Sequence, residues 1–147
     1  MRFPKAQVVF SVGKNVAVED LGAVPSNVLV VSEAPQLELL KRAALCITHA
    51  GLNTALEQGV PMVAIPIGYD QPGVAARIAY HGVGEFVEVD DLMVERLSEL
   101  VREVLGNSGY RNRARSFQKI IAETRGLEMA TDLIEEAFRK SSKPMRS

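Results

Sequence analysis

Short apolar runs alternate with helical patterns along the first two-thirds of the chain. Five of these runs predict β-strands, at 7–11, 28–31, 45–48, within 60–66 and at 85–89. The second run is apolar at every position, which is typical of a strand covered on both faces, as in parallel sheets. The last run alternates apolar and acidic residues and predicts an edge strand. Strands that alternate with helices predict an α/β fold with a parallel sheet between helical layers.

Segments with helical periodicity lie between these strands, and the chain after residue 90 has helical periodicity only. Helices are predicted from Pro35 onward, with Leu37, Leu40 and Ala44 on one stripe, and at 53–58 and 75–80. Three further apolar stripes predict three helices: Leu97, Leu100, Val101, Val104 and Leu105; Tyr110, Ala114, Phe117 and Ile121; and Ala130, Leu133, Ile134, Ala137 and Phe138. We expect one domain over 1–140 and a disordered tail over 141–147.

Composition narrows the class of protein. The chain has 147 residues, of which 47% are hydrophobic and 24% charged, and these values exclude disorder as the main state. The single cysteine, Cys46, excludes a disulfide framework and a cysteine zinc cluster, and its apolar neighbours predict a buried, inert thiol. No apolar run approaches the ~20 residues of a transmembrane helix. The first residues lack a signal-peptide core, so we expect a cytoplasmic protein.

The charge distribution and the absence of the common phosphate-binding motifs argue against several classes of partner. The formal net charge is −1, and a modest basic excess after residue 110 has no interleaved aromatic residues, which argues against nucleic acid as a partner. Neither G-x-G-x-x-G nor G-x-x-x-x-G-K-[ST] occurs. The sequence has no Asp-x-Asp triplet that would chelate a metal-bound diphosphate, so no metal site is predicted.

Three polar loops follow the second, third and fourth predicted strands, at 32–36, 48–54 and 67–71. In an open parallel sheet, ligands bind beyond the carboxyl ends of the strands, where these loops lie. The middle loop opens a short helix whose unpaired N–H groups suit a phosphate or diphosphate. Its polar candidates are His49, Gly51, Asn53 and Thr54. An N-cap Asn, a capping Thr and a hydrogen-bonded histidine are the alternative interpretation.

The remaining candidates are the pair Asp70 and Gln71 and the single residue Glu57. Asp70 and Gln71 together can accept from and donate to adjacent hydroxyls of a sugar, although Asp-Gln-Pro-Gly is also favourable turn chemistry. Glu57, on the short helix, either reaches ribose hydroxyls or is a solvated surface residue.

Four motifs occur in a fixed order: Ala34-Pro35-Gln36, the stretch 48–54, the stretch 59–63 and Asp70-Gln71. This series resembles the donor-binding signature of UDP-glycosyltransferases. The stretch 59–78 is especially similar to bacterial zeaxanthin glucosyltransferases and macrolide-glycosyltransferase-like enzymes. The resemblance covers about residues 7–138 and implies a Rossmann-like three-layer α/β/α domain, the C-terminal half of a GT-B fold.

The resemblance also implies a role for each motif. It places the donor diphosphate on His49, Gly51, Asn53 and Thr54, the uracil and ribose on Ala34, Pro35, Gln36 and Glu57, and the transferred sugar on Asp70 and Gln71. Only Gln58 separates Glu57 from Gly59, which shortens this helix by nearly a turn relative to the family pattern.

The implied reaction is transfer of a hexosyl group from a UDP-sugar, with UDP-glucose expected, to a hydroxyl acceptor, without a metal or cofactor. The family places the acceptor pocket and the catalytic base on an N-terminal domain. That domain, and the first strand and helix of the donor domain, have no counterpart in this chain. We therefore expect an N-terminally truncated donor domain that is inactive alone and needs an acceptor domain in cis or in trans. A lipophilic acceptor would add peripheral membrane contact.

The main alternative is a non-catalytic or split-subunit module that binds a nucleotide sugar. A degenerate domain without a ligand and a nucleotide-sugar epimerase are the other two hypotheses.

Overall fold

The strands form two separate parallel ladders. The structure is a computed structural model that describes residues 6–141. Its strands are β1 (Val8–Ser11), β2 (Val28–Val31), β3 (Cys46–Thr48), β4 (Met62–Ala64) and β5 (Gly84–Phe86). Strand β1 pairs with β2, with Val8 opposite Val28. The second ladder has the order β3–β4–β5, with Cys46 opposite Met62 and Met62 opposite Gly84.

Every pairing is parallel, and β5 lies at an edge, as the sequence predicts. The described strands do not form one continuous sheet, however, because no pairing joins the ladder of β1 and β2 to the ladder of β3, β4 and β5.

Six helices connect and follow the described strands. They are α1 (Gln36–Leu40), α2 (Leu52–Glu57), α3 (Gln71–Tyr80), α4 (Val94–Gly106), α5 (Ser108–Glu123) and α6 (Gly126–Ser141). Short 3-10 helices lie at Val18–Leu21 and Val89–Asp91. The stripes predicted for α4 and α5 face the core, where Leu100, Val101 and Ala114 are buried.

The three-stranded sheet divides the core into two clusters. Along β4, Met62 and Ala64 belong to a first core cluster with residues of α2, α3 and α5. Val63, on the other face of the strand, belongs to a second core cluster with residues of α4. Successive strand side chains point to opposite faces, so β4 is apolar and buried on both of them. This half of the molecule has the predicted three layers.

Close packing of β5 on β4 requires a glycine. A Cβ atom on Gly84 would lie 2.1 Å from the carbonyl oxygen of Met62 and 2.9 Å from Ile78 Cγ2. Since carbon atoms pack at about 3.5–4.0 Å, no larger residue fits between β4 and α3 at this position.

Two side chains fix α5 against the rest of the molecule. The guanidinium of Arg111 donates to the carbonyl oxygen of Ala43, at 3.0 Å from Nη1 and 3.1 Å from Nη2. The Tyr110 hydroxyl lies 2.6 Å from Glu85 Oε1 and 3.0 Å from Glu103 Oε1. Burial and these two carboxylates raise the pKa of Tyr110, so it stays protonated and donates.

Two predictions are wrong for the described residues, and one predicted apolar stripe is not covered. Strand β2 is not covered on both faces, because it belongs to a two-stranded ladder and Leu29 is 54% exposed. Helix α1 ends at Leu40, so Ala44 does not continue its stripe. The apolar stripe of α6 faces outward, with Leu133 and Phe138 both largely exposed. Periodicity shows which face of an element is apolar, but not whether a second element covers it.

The predicted domain boundary at residue 140 falls at the end of the described structure. Ser141 is the last residue of α6, and the remainder of the tail predicted to be disordered, 142–147, lies outside the described residues.

Candidate functional site

The loops after β3 and β4 lie side by side at the carboxyl edge of the three-stranded sheet. The two strands are parallel, and the Ile65 N–H donates to the Thr48 carbonyl at 2.8 Å, where both strands end. Neighbouring strands are about 4.8 Å apart. The tertiary structure thus brings together the predicted diphosphate and sugar loops.

A tight turn leads from β3 into α2. Thr48 Oγ1 accepts the Gly51 N–H at 3.2 Å, and Ala50 between them has a φ of 77° and is buried. A non-glycine residue in the left-handed region costs about 1–2 kcal/mol. The turn tolerates this cost because the Ala50 methyl group packs into the first core cluster.

Helix α2 begins at Leu52 without a side-chain cap. Gly51 occupies the N-cap position, so the alternative in which Asn53 and Thr54 cap the helix is wrong. Among the described hydrogen bonds, none involves the side chain of His49, Asn53 or Thr54. His49 and Asn53 are exposed, and Thr54 is half-buried. The N–H groups of the first helical turn and these three side chains are therefore available to an anion.

Glu57 lies on the same side of α2 as Asn53. The two residues are four apart, which stacks them on one helix face about 6 Å apart along the axis. The carboxylate of Glu57 is exposed and forms none of the described ion pairs, while its backbone carbonyl accepts from Gln118 Nε2 at 3.1 Å. Gly59, with a φ of 64°, follows the end of this short helix.

The loop after β4 is held by the side chain of Gln71. Its Oε1 accepts the Ile67 N–H at 2.7 Å and the Gly68 N–H at 3.2 Å. The amide oxygen is therefore used within the loop, and the NH₂ group is the part left for a ligand. Asp70 precedes α3 without capping it and is exposed. The turn interpretation and the ligand interpretation are therefore compatible for this pair. The oxygen of Gln71 stabilises the loop, while Asp70 and the Gln71 NH₂ group remain available to a ligand.

The third loop belongs to the other ladder. Ala34 and Pro35 follow β2, and Pro35 is the residue before α1, which begins at Gln36. No described hydrogen bond or ion pair joins this loop to the loops after β3 and β4. The structure does link it to the loop after β1, because Lys14 Nζ lies 3.1 Å from Glu33 Oε1.

Sequence reasoning missed three structural contributions to this edge: the hydroxyl of Thr48, the left-handed Ala50 and the loop-bracing oxygen of Gln71. The Thr-x-x-Gly spacing at 48–51 is a signal for the first, because threonine often accepts a backbone N–H a few residues on. Sequence has no comparable signal for a left-handed alanine.

Two kinds of feature are absent from the described part of the chain. No three His, Cys, Asp or Glu side chains within 6–141 are grouped as metal ligands. In the same part of the chain, no helix combines the length and apolarity that a membrane span requires.

The fold and the position of these loops define a class of protein. A parallel sheet between helical layers, with polar loops at its carboxyl edge, is the arrangement of Rossmann-type nucleotide-binding domains. Solved GT-B glycosyltransferases share it. CalG4, the calicheamicin glycosyltransferase, is 27% identical, with a TM-score of 0.81 over 93% of this chain and 37% of its own. Glycosyltransferase VinC, solved in complex with DTDP, is 29% identical, with a TM-score of 0.81 over 92% of this chain and 35% of its own.

The family follows from the sequence match. Residues 5–136 match the family described as erythromycin biosynthesis protein CIII-like, C-terminal domain, and the chain belongs to this family. The NDP-glycosyltransferase YjiC of Bacillus subtilis is 36% identical over 141 residues, which are 94% of this chain and 36% of that protein. The zeaxanthin glucosyltransferase of Pantoea ananas is 36% identical over 112 residues, covering 74% of this chain and 26% of that protein. The chain spans about a third of the length of its Bacillus subtilis relatives.

Proposed function

We propose that this chain is the donor-binding part of a glycosyltransferase that transfers a hexosyl group, with UDP-glucose as the donor, to a hydroxyl acceptor. The observation that supports the proposal is that two polar loops leave the ends of adjacent parallel strands, the loop after β3 with His49, Asn53 and Thr54 and the loop after β4 with Asp70 and Gln71. Membership of a family of glycosyltransferase C-terminal domains supports the reaction class.

The loop after β3 suits the diphosphate. The first turn of α2 presents backbone N–H groups, and the uncommitted side chains of His49, Asn53 and Thr54 stand beside it. Gly51 contributes space rather than a donor, because its N–H is bound to Thr48. As the bond from sugar to phosphate breaks, negative charge develops on the departing diphosphate. Donors already oriented toward that charge lower the barrier.

The neighbouring positions suit the rest of the donor. Asp70 accepts from sugar hydroxyls while Gln71 donates through its free NH₂ group. Glu57, on the helix face of Asn53, is within reach of ribose hydroxyls, and Ala34, Pro35 and Gln36 contact the uracil and ribose. Glucose and UDP are the expected donor components because relatives are named as UDP-glucosyltransferases and zeaxanthin glucosyltransferases.

The remaining parts of the proposal concern the whole protein. The catalytic base that deprotonates the acceptor lies on an acceptor domain supplied in cis or in trans, so the chain alone binds the donor without transferring the sugar. The reaction proceeds without a metal, and the protein is cytoplasmic. Under the second candidate, a split-subunit module, the acceptor domain is a separate chain.

Calorimetric titration tests the diphosphate assignment. His49→Ala should weaken UDP binding about tenfold or more, as expected for a lost hydrogen bond to a charged group worth about 1.5–3 kcal/mol. It should leave uridine binding unchanged, because uridine has no diphosphate. His81→Ala is the matched control, since His81 follows the carboxyl end of α3, away from the loops. Equal weakening of UDP and uridine would refute the assignment.

A second titration tests the sugar loop. Asp70→Asn should reduce the affinity for UDP-glucose about tenfold while UDP binds as before, because UDP has no hexose. Titration of dTDP alongside UDP tests the choice of base. No saturable binding of any of these ligands at millimolar concentration would favour the degenerate domain instead.

A further inference from the structure

The carboxyl end of α2 is completed by a side chain from another helix. An α-helix leaves its last carbonyl groups without partners inside the helix. In α2, the Ala55 and Leu56 carbonyls accept backbone N–H groups of the turn that follows, at 2.9–3.2 Å. The Glu57 carbonyl would normally accept the N–H four residues later, but that residue is Pro61, which has no N–H. The described partner of this carbonyl is Gln118 Nε2 of α5, which donates to it at 3.1 Å.

The side chain of Gln118 packs over the turn that follows α2. A Cβ atom on Gly59 would lie 2.7 Å from Gln118 Oε1 and 3.2 Å from Gln118 Cδ. The stem of Arg115, one turn earlier on α5, covers the same glycine, with its Cγ 3.2 Å from that Cβ position. Gly59 has a φ of 64°, so it reverses the chain direction and also leaves the space through which the Gln118 amide reaches Glu57.

Helix α5 holds Gln118 in a fixed place relative to α2. Phe117, the residue before it, packs against the first core cluster, which also contains residues of α2. Two turns earlier, Tyr110 and Arg111 anchor the same helix through side-chain hydrogen bonds. Helix α2, by contrast, has six residues and no side-chain cap at its start. A donor on an anchored helix therefore restrains the end of a helix that is too short to be rigid alone.

We propose that Gln118 is a positioning residue for Glu57. The inference rests on the proposed function, in which the Glu57 carboxylate binds the ribose of the donor. Glu57 is the last residue of α2, so its backbone is held by the helix on one side and by the bond from Gln118 on the other. Helix ends fray when their terminal groups lack partners. Without Gln118 the last turn of α2 opens, and the Glu57 carboxylate loses its fixed direction toward the ribose.

This role predicts an effect on selectivity rather than on affinity in general. A carboxylate has two acceptor oxygens and can accept from the adjacent 2′ and 3′ hydroxyls of one ribose. The compound 2′-deoxy-UDP lacks one of these hydroxyls but carries the same base and diphosphate as UDP. The ratio of the two dissociation constants therefore reports the ribose contact. A general loss of stability or of phosphate binding affects both ligands equally and leaves this ratio unchanged.

Calorimetric titration of the full chain with UDP and with 2′-deoxy-UDP measures the ratio. UDP should bind about tenfold more tightly, as expected for a hydrogen bond to a charged group. Gln118→Met keeps the length of the side chain but has no donor, and it should lower the ratio to about threefold or less. Gln118→Lys keeps an N–H donor and should preserve the ratio. Lys119→Met changes the next, exposed residue of the same helix and is the matched control, which should also preserve it.

Glu57→Ala separates this inference from the proposed function. It should remove the preference for UDP, and adding Gln118→Met to it should have no further effect, because both substitutions act on one contact. A preference that is lost in Glu57→Ala but kept in Gln118→Met would overturn the positioning role and leave the ribose contact standing. No preference in the unsubstituted chain, an unchanged ratio in Glu57→Ala, or no saturable binding of either nucleotide would refute the ribose contact, and this inference with it.

Amide hydrogen exchange tests the restraint on α2 without a ligand. Gln118→Met should speed exchange of the amides at 56–59 by about threefold or more, while those of α3 exchange as before. Gln118→Lys and Lys119→Met should leave both helices unchanged. Unchanged exchange at 56–59 in Gln118→Met, or an equal increase throughout α3, would overturn the proposed restraint. Faster exchange confined to α2 together with an unchanged nucleotide ratio would show that Gln118 is structural only.

Discussion

Gly84→Ala is the substitution whose effect the structure predicts most directly. The added methyl group would lie 2.1 Å from the Met62 carbonyl oxygen and 2.8 Å from its carbonyl carbon. Ordinary contacts lie at about 3.5–4.0 Å, so β5 would have to move by more than about 1 Å. Met62 is fully buried and its N–H donates to the Val83 carbonyl at 3.1 Å, which leaves β4 little room to retreat.

We expect Gly84→Ala to lower the free energy of unfolding by about 3 kcal/mol or more, the upper range for overpacked sites. For a domain of this size, that corresponds to about 10 °C in melting temperature. Urea unfolding followed by circular dichroism measures the loss. Gly106→Ala is the control, because Gly106 ends α4 with nothing within 4 Å, and it should change stability by less than about 1 kcal/mol. A Gly84→Ala protein as stable as the control would refute the packing of β5 on β4.

Three further predictions concern single side chains. Arg111→Met keeps the apolar stem but removes both hydrogen bonds to Ala43, and it should cost about 1.5–3 kcal/mol in urea unfolding; an unchanged midpoint would contradict the anchoring role of the guanidinium. Tyr69 is fully exposed with a φ of 58°, so Tyr69→Gly should stabilise by about 0.5–1 kcal/mol, because about 1–2 kcal/mol of left-handed strain exceeds the entropy cost of glycine; Tyr69→Ala should give no gain. Burial raises the pKa of the Cys46 thiol, so at a given pH less thiolate is present and alkylation should be slower than in a cysteine peptide. The pH profile of the alkylation rate should be displaced to higher pH. An alkylation rate equal to that of the urea-unfolded protein would contradict this prediction.

The sequence determined the order and type of the elements with small errors at their ends. Strand β2 lies at Val28–Val31 as predicted, β5 is an edge strand, and the stripes of α4 and α5 face the core. These features are local, because the apolar period of a segment reports its conformation and its buried face. The family resemblance was also readable from sequence, since four motifs in a fixed order are far more specific than any single one, and the family match confirms it.

Only the tertiary structure decided what the loops and faces contact. It joined the loops after β3 and β4 through one hydrogen bond at the ends of the strands, and it left the loop after β2 without a described link to them. It assigned the oxygen of Gln71 to the backbone of its own loop, and it left the apolar stripe of α6 exposed. The periodicity of a segment shows that one of its faces is apolar. Whether that face is covered depends on residues that are distant in the chain. For this reason the sequence alone specified which segments fold into strands and helices, and the tertiary structure alone decided which of their apolar faces are covered.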